Sequence, residues 1–263
     1  MGKKGQTLVY LDEMTWIEVR DRLKESKIAL VPIGSVEEHG KHLPLGTDNF
    51  VLMEVIKRAV DLVSEEVKPV VAPLIPYGWD EWGMNWPGTI SLRNDISKAV
   101  LRDVCMSLIR HGFKKIVILD GCGANFMAID PLIHEIAFET EAFIVHYKPF
   151  LSTSKLREKL KETKMHDVHS GEIETSLAMA CGVRTRMDLA EGYKGYPPFL
   201  TRMREEYGAT GSWPWPHLHE SGAWGDPSRA SKEKGEKILN EAVEKLANFL
   251  RELKQVEDPY KVG

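Results

Sequence analysis

Between residues 31 and 48 the chain reads Val-Pro-Ile-Gly-Ser-Val-Glu-Glu-His-Gly-Lys-His-Leu-Pro-Leu-Gly-Thr-Asp. Glu37 and His39 are two positions apart, and in extended backbone such residues point to the same side. Asp48 follows nine positions after His39, beyond Gly40 and a Pro44-Leu-Gly turn that lets the chain double back. A Glu, a His and an Asp meeting at one point suit a divalent ion of intermediate hardness, such as Zn, Mn or Fe. The competing reading is a polar surface loop with no ligand role, because loops rich in Glu and His are common.

The elements that must position this loop follow from apolar spacing. Thr15 is placed to cap a helix with Trp16, Val19 and Leu23 on one face. Ile28–Ile33 is a short apolar run read as a buried strand. Residues 50–67 have helical spacing, and residues 70–74 form a second strand candidate. Asn94 or Asp95 caps a helix with Ile96, Val100, Leu101, Val104 and Leu108 inward and Gly112 closing it. A strand over 116–119, a helix over 128–138 and a strand over 142–147 come next. A last helix over 231–253 carries Ile238, Leu239, Ala242, Leu246 and Phe249 on one side. This alternation predicts an α/β fold, a mainly parallel central sheet with helices on both faces. Such folds bind ligands beyond the carboxyl ends of their strands. Glu37 and His39 follow one strand and Asp120-Gly-Cys-Gly-Ala-Asn125 follows another, so both open onto one rim.

Three further stretches carry reactive groups. The turn Asp120–Asn125 has backbone amides that could hold an anion, although a tight βα turn needs glycine for geometry alone. Its Cys122 could be a metal thiolate, a nucleophile or a small buried residue. In His166-Asp-Val-His-Ser-Gly-Glu-Ile-Glu-Thr-Ser176, His169 precedes Glu172 and Glu174 at a helix start. The helix dipole accounts for one of the acids but leaves the His unexplained. Tyr77-Gly-Trp-Asp-Glu-Trp-Gly-Met-Asn-Trp-Pro-Gly-Thr89 brings Trp79, Trp82 and Trp86 into a Gly-broken loop. A second aromatic segment holds Trp213, Trp215, His217, His219 and Trp224. Together they could wall a pocket or line a subunit interface.

Composition narrows the class. The 263 residues are 43% hydrophobic and 28% charged, as in a globular protein with a full core. A net charge of −4 without basic clusters argues against nucleic acid as a partner. Three Cys cannot all pair and form no CxxC, which points to a reducing compartment. With no apolar leader and no membrane-length run, a cytoplasmic protein is expected. No repeat or linker divides the chain, so one domain over residues 1–263 is expected.

Gly34-Ser-Val-Glu-Glu-His-Gly-Lys-His-Leu-Pro-Leu-Gly-Thr-Asp48 resembles the signature loop of the creatininase family. Tyr77-Gly with Pro87-Gly-Thr89, His169–Ser176, and Gly225-Asp-Pro-Ser-Arg-Ala230 resemble its other motifs in the same order. The resemblance implies a three-layer α/β/α sandwich, a homo-oligomer (often a hexamer) and a two-metal hydrolytic site. Glu37, His39 and Asp48 fall on the family's metal-binding Glu, His and bridging Asp. His169 matches a His regarded as the catalytic acid/base. The chain departs from the pattern at Cys122, where the family usually has a ligating His, and at Ala124, where creatininase has a ligating Glu.

Cys122 could serve as a thiolate ligand, which favours Zn, or one ion could be lost. Glu172 or Glu174 would then supply the missing carboxylate; Glu174 is assigned to the metal and Glu172 beside His169. Asp80, Trp82 and Gly83 replace the family's usual Ser, Glu and His, which argues against creatinine as substrate. Asp80, Trp82 and Trp86 are expected to contact substrate. The activity expected is a divalent-metal hydrolase, with one or two ions, opening a small polar ring, first a cyclic amide. One alternative is a C–C hydrolase acting on a cyclic polyol diketone such as a diketo-inositol. Another is a non-catalytic metabolite binder. A Cys122 nucleophile working with His169 is a further reading.

Overall fold

Strand side chains alternate between the two faces of a sheet, and here both faces are covered. In β1 (Ile28–Ile33), Ile28 and Leu30 pack to one side, while Ala29, Val31 and Ile33 pack to the other. β3 (Lys115–Asp120) divides likewise, with Val117 and Leu119 opposite Ile116 and Ile118. Burial on both faces is why these runs show no polar alternation in the sequence. β2 (Val70–Val71) and β4 (Phe143–Tyr147) flank them, and every pair in the order β2-β1-β3-β4 is parallel. The computed structural model describes residues 8–163, 167–192, 202–203, 206–209, 211 and 220–257. His166, Trp213, Trp215, His217 and His219 lie outside the described residues.

One face of the sheet is covered by α2 (Thr47–Val63), α7 (Glu172–Ala180) and α8 (Lys232–Gln255). The other is covered by α3 (Asn94–Arg110) and α4 (Phe126–Glu139), with Val19 and Leu23 of α1 (Trp16–Glu25) at its margin. Two short helices, α5 (Pro149–Ser152) and α6 (Ser154–Leu160), lead away from β4. The expected three-layer α/β/α arrangement is therefore present. Gly235 lets α8 lie close to α7, since a Cβ there would fall 1.9 Å from the Ser176 carbonyl oxygen.

Strand order places the site. β1 passes through α2 to β2 on one side, whereas β3 passes through α4 to β4 on the other. The connections therefore diverge at the paired ends of β1 and β3, where Ile33 is in register with Asp120. A crevice outside the carboxyl ends at such a switch point is the usual binding place in an open parallel sheet.

Some elements differ from expectation. α2 begins at Thr47, not at residue 50, because the Thr47 hydroxyl donates to the Pro44 carbonyl at 2.6 Å and closes the turn. Asp48 thus stands in the first helical turn, where a carboxylate is favoured by the dipole. The strand read over 70–74 is only Val70–Val71, followed by an isolated Ile33–Ile75 bridge. In α3, Ile96 and Val100 face outward, while Leu101, Cys105 and Leu108 carry the burial. Trp16 is 73% exposed, with the Arg20 guanidinium 5.6 Å from its ring centre. Among the described residues, no helix is long and apolar enough to cross a membrane.

Candidate active site

The 31–48 loop is not a surface loop: Glu37, Glu38, His39 and Asp48 are all buried. Val36 bridges to Ile90 and the Glu37 amide donates to the Leu45 carbonyl, fixing the loop's path. His39 Nδ1 lies 3.2 Å from the Glu37 carbonyl oxygen, and Nε2 lies 3.2 Å from Asp48 Oδ1. A proton on Nδ1, donated to that carbonyl, leaves the Nε2 lone pair for a metal, as outer hydrogen bonds commonly arrange for ligating histidines. Cys122, carried by the turn after β3, places Sγ 3.2 Å from Glu37 Oε1 and 3.4 Å from Asp80 Oδ1. The base of that turn is tied down by Asp120, which accepts from the Cys122 amide and the Asn125 side chain and pairs with His146.

His169 enters from the opposite wall. Its backbone forms a two-bond bridge with Trp224, and its ring centre lies 4.5 Å from that of His39. Nε2 donates to the Glu38 carbonyl at 2.6 Å and lies 3.3 Å from Glu38 Oε1, while Nδ1 lies 3.9 Å from Glu174 Oε2. The next residue, Ser170, has φ +54, and its amide donates to Glu174 Oε2 at 2.5 Å. A non-glycine residue held in that region marks a strained corner of a kind that clusters at functional sites. Gly222, at φ +81, lies against the Glu38 carboxylate, where a Cβ would come within 2.0 Å of Oε2.

Electrostatics show what the cluster lacks. Burial, with Asp80 and Asp48 beside it, holds the Glu37 carboxyl well above its usual range. Burial also raises Asp80, and burial with Glu37 nearby raises the Cys122 thiol well above its ordinary value. Burial pulls His39 down, but the Asp48 charge and hydrogen bond outweigh it and leave the imidazole at about 10. Asp48 is lowered because the His39 charge overcomes burial. His42 is lowered to about 4 by burial and by the charges of His39 and His169. Among the described residues, no Lys or Arg pairs with Glu37, Asp48 or Asp80. Buried carboxylates must be neutralised, paired or bound to metal, and Asp48 Oδ2 is buried with no hydrogen-bond partner. Glu37, His39 and His169 present donor atoms within 4.8 Å of one another, and so do Glu37, Asp80 and Cys122. The residues fit a divalent ion.

Comparison with known proteins agrees with this geometry. The family model for creatininase, described as creatinine amidohydrolase, matches residues 12–250. The chain belongs to the creatininase family. Its members are metal-dependent hydrolases. The chain is 28% identical to a 3-dehydro-scyllo-inosose hydrolase of Thermotoga maritima, over 94% of this chain and 83% of that protein. It is 27% identical to the creatinine amidohydrolase of Pseudomonas putida, over 93% and 96% of the two chains. A solved structure of a candidate creatinine amidohydrolase from Bacteroides fragilis superposes with a TM-score of 0.83 at 28% identity, covering 97% of this chain and 100% of that one.

Within this creatininase-family site, Glu37, His39, Asp48, Cys122 and His169 converge, with Glu174 at the edge. Glu172 is not brought there. Its fully buried carboxylate accepts from the Glu162 and Thr163 amides and from Lys234 at 2.6 Å, on the α7–α8 side. It therefore cannot orient His169; Glu174 is the acid that faces that ring. Asp80, expected on the substrate side, has no exposed surface and lies behind Cys122. Trp82 packs edge-on against Trp79 at 4.8 Å, and Trp86 donates from Nε1 to the Glu220 carbonyl. Sequence reasoning missed Glu38 as the partner of His169, although it sits inside the motif. It also missed Arg157 of α6, which lines a recess of about 50 Å³ together with Phe150, Gly121, Asp48 and Glu174. No local pattern marks Arg157; only the path of α6 brings it there.

Proposed function

We propose that this chain opens a small polar ring by hydrolysis at a carbonyl carbon, with a cyclic amide as the substrate class and creatinine itself disfavoured. The observation carrying this reading is the buried meeting of Glu37, His39, Asp48, Cys122 and His169 at the β1/β3 switch point, where no Lys or Arg among the described residues pairs with the carboxylates. Glu37, His39, Asp48 and Cys122 would hold one or two ions, and the sulfur among them favours zinc over manganese; Glu174, expected as a ligand, faces His169 instead. A divalent ion bound there lowers the pKa of water toward neutrality and polarises a carbonyl oxygen.

The chain's own groups do the rest. Glu38 fixes the His169 ring through Nε2, so the proton that moves is the one at Nδ1, on the side of Glu174. His169 takes a proton from the attacking water and returns it to the leaving nitrogen, while Glu174 holds the ring's charge. Arg157 and Phe150 close the recess over Asp48, giving a substrate oxygen a cationic partner and a ring an apolar face.

A second reading is favoured by the relationship to the inosose hydrolase of Thermotoga maritima. The same proton from His169 would serve an enolate leaving group, so a cyclic polyol diketone would be cleaved at a C–C bond. The deciding experiment is a ring-opening screen of cyclic amides and cyclic polyol ketones with Zn- and Mn-loaded protein. Turnover of an amide supports the first reading, and turnover of a polyol ketone the second. No ring opening of any compound by metal-loaded protein overturns both and leaves a metabolite-binding homologue.

A further inference from the structure

Asp80 does not behave as a substrate contact. Its carboxylate has no exposed surface: Oδ2 accepts from the Ser35 hydroxyl at 2.5 Å, and its amide is tied to Ser91 Oγ at 2.9 Å. That bracing leaves Oδ1 aimed at Cys122 Sγ, 3.4 Å away, with Glu37 Oε1 3.2 Å from the same sulfur. A ring-sized ligand cannot reach a group so enclosed, but a bare ion can.

The separations fit one. With a Zn–S bond of about 2.3 Å and Zn–O bonds of about 2.0–2.2 Å, the S···O edge of a tetrahedron is roughly 3.5 Å. The two observed S···O distances lie close to that edge. Nearby, the unpartnered and buried Asp48 Oδ2 supplies a further oxygen. On the other side of Glu37 the donor is the imidazole of His39, with the acid/base His169 beyond it.

We infer that Asp80 is a metal ligand, and that Asp80, Cys122 and Glu37 form a thiolate-containing zinc position distinct from the imidazole-containing position around His39. This rests on the hydrolase reading above and deepens it: the two positions differ in softness, so they take unlike ions from a mixed supply. Binding replaces the thiol proton by the metal, the proton passes to solvent, and no electron moves.

The test is sulfur ligation, read without turnover. Metal-free protein is loaded with Co(II), and thiolate-to-cobalt charge-transfer absorption is recorded; zinc-edge X-ray absorption counts sulfur neighbours on the unaltered chain. The expected result is one sulfur per zinc at one of two positions. The absorption band is lost in Cys122→Ser. In Asp80→Asn, which keeps the Ser35 contact, affinity for the sulfur-bound ion weakens at least tenfold while the second ion is retained. Full affinity at both positions in Asp80→Asn, or no sulfur around the ion in the unaltered chain, overturns the inference. Ring opening without a cobalt–sulfur band sinks this assignment and leaves the hydrolase reading standing; the band without ring opening does the reverse.

Discussion

His169 Nε2 donates to the backbone carbonyl of Glu38 at 2.6 Å, so the motif residue between Glu37 and His39 also sets the ring on the opposite wall. With Nε2 committed, Nδ1 is the nitrogen left for proton transfer. His169→Asn is expected to lower kcat by about 10²–10⁴, the usual range for a general acid/base, with metal content unchanged. Kinetics and metal analysis on one preparation check this. Loss of an ion in the variant would instead make His169 a ligand.

Glu172 was expected at the reaction centre, and its surroundings assign it to the fold. Its carboxylate receives two amides and the Lys234 ammonium. A Gln there keeps one accepting oxygen, and Lys234 keeps Glu162 and the Arg229 carbonyl, so the change removes the charge and at least one of these bonds. Glu172→Gln is expected to cost about 1.5–3 kcal/mol of stability while leaving kcat of the folded protein near its original value. The Lys234 partnership and the amide bonds outweigh burial and lower the carboxyl below its ordinary value. The stabilisation is therefore present at neutral pH and lost as pH falls through the folded value, so the two proteins' melting temperatures should converge in acid.

Much of this architecture is legible in the sequence because burial on both faces of β1 and β3 leaves long apolar runs. The loop cluster is legible because Glu37, His39 and Asp48 lie close together in the chain. What escaped is non-local. Glu172 and Glu174 are two residues apart at one helix start, and only the packing of α7 on α8 decides which of them meets Lys234. Asp80 was named from the sequence as a site residue, but not its burial beside Cys122, and Arg157 reaches the recess on a short helix whose direction no periodicity encodes. Trp16 and Ile96 show the limit of apolar spacing at a helix end, where a large side chain can stay outside.

Arg157 donates from Nη1 to the Phe150 carbonyl at 3.2 Å, and its Nε is buried without a partner. A substrate oxygen in the recess would satisfy it. Arg157→Gln is expected to raise KM roughly tenfold, the scale of one hydrogen bond to a charged group, with kcat and metal content little changed. An unaltered KM on a turned-over substrate would remove Arg157 from the binding surface.

The three thiols should be sluggish in the native chain. Burial pushes Cys105 and Cys181 up to about 12 and raises Cys122 as well. Since the thiolate is the nucleophile, metal-free protein at neutral pH should alkylate slowly at all three positions. Unfolding in denaturant should release three fast thiols, counted by mass spectrometry. Fast native labelling at Cys122 would reopen its reading as a nucleophile.

Metal removal should show a defined pH dependence. In the ion-free chain Glu37 and Cys122 retain protons, and His39 retains its second proton up to about 10. Each must leave before its lone pair can bind, so metal affinity rises with pH. For the ion-free fold the sign is opposite: the raised His39 contributes fully below its unfolded value near 6.5 and loses that contribution as pH rises through about 10. The gap in melting temperature between loaded and chelated protein should therefore widen with pH. At free zinc about 100-fold above Kd, binding adds about 2.7 kcal/mol, or roughly 5–10 °C for a chain of this size. Paired thermal melts at mildly acidic and mildly alkaline pH measure the gap, and a gap that narrows toward alkaline pH would rule out protonated Glu37, His39 and Cys122 as the ligands.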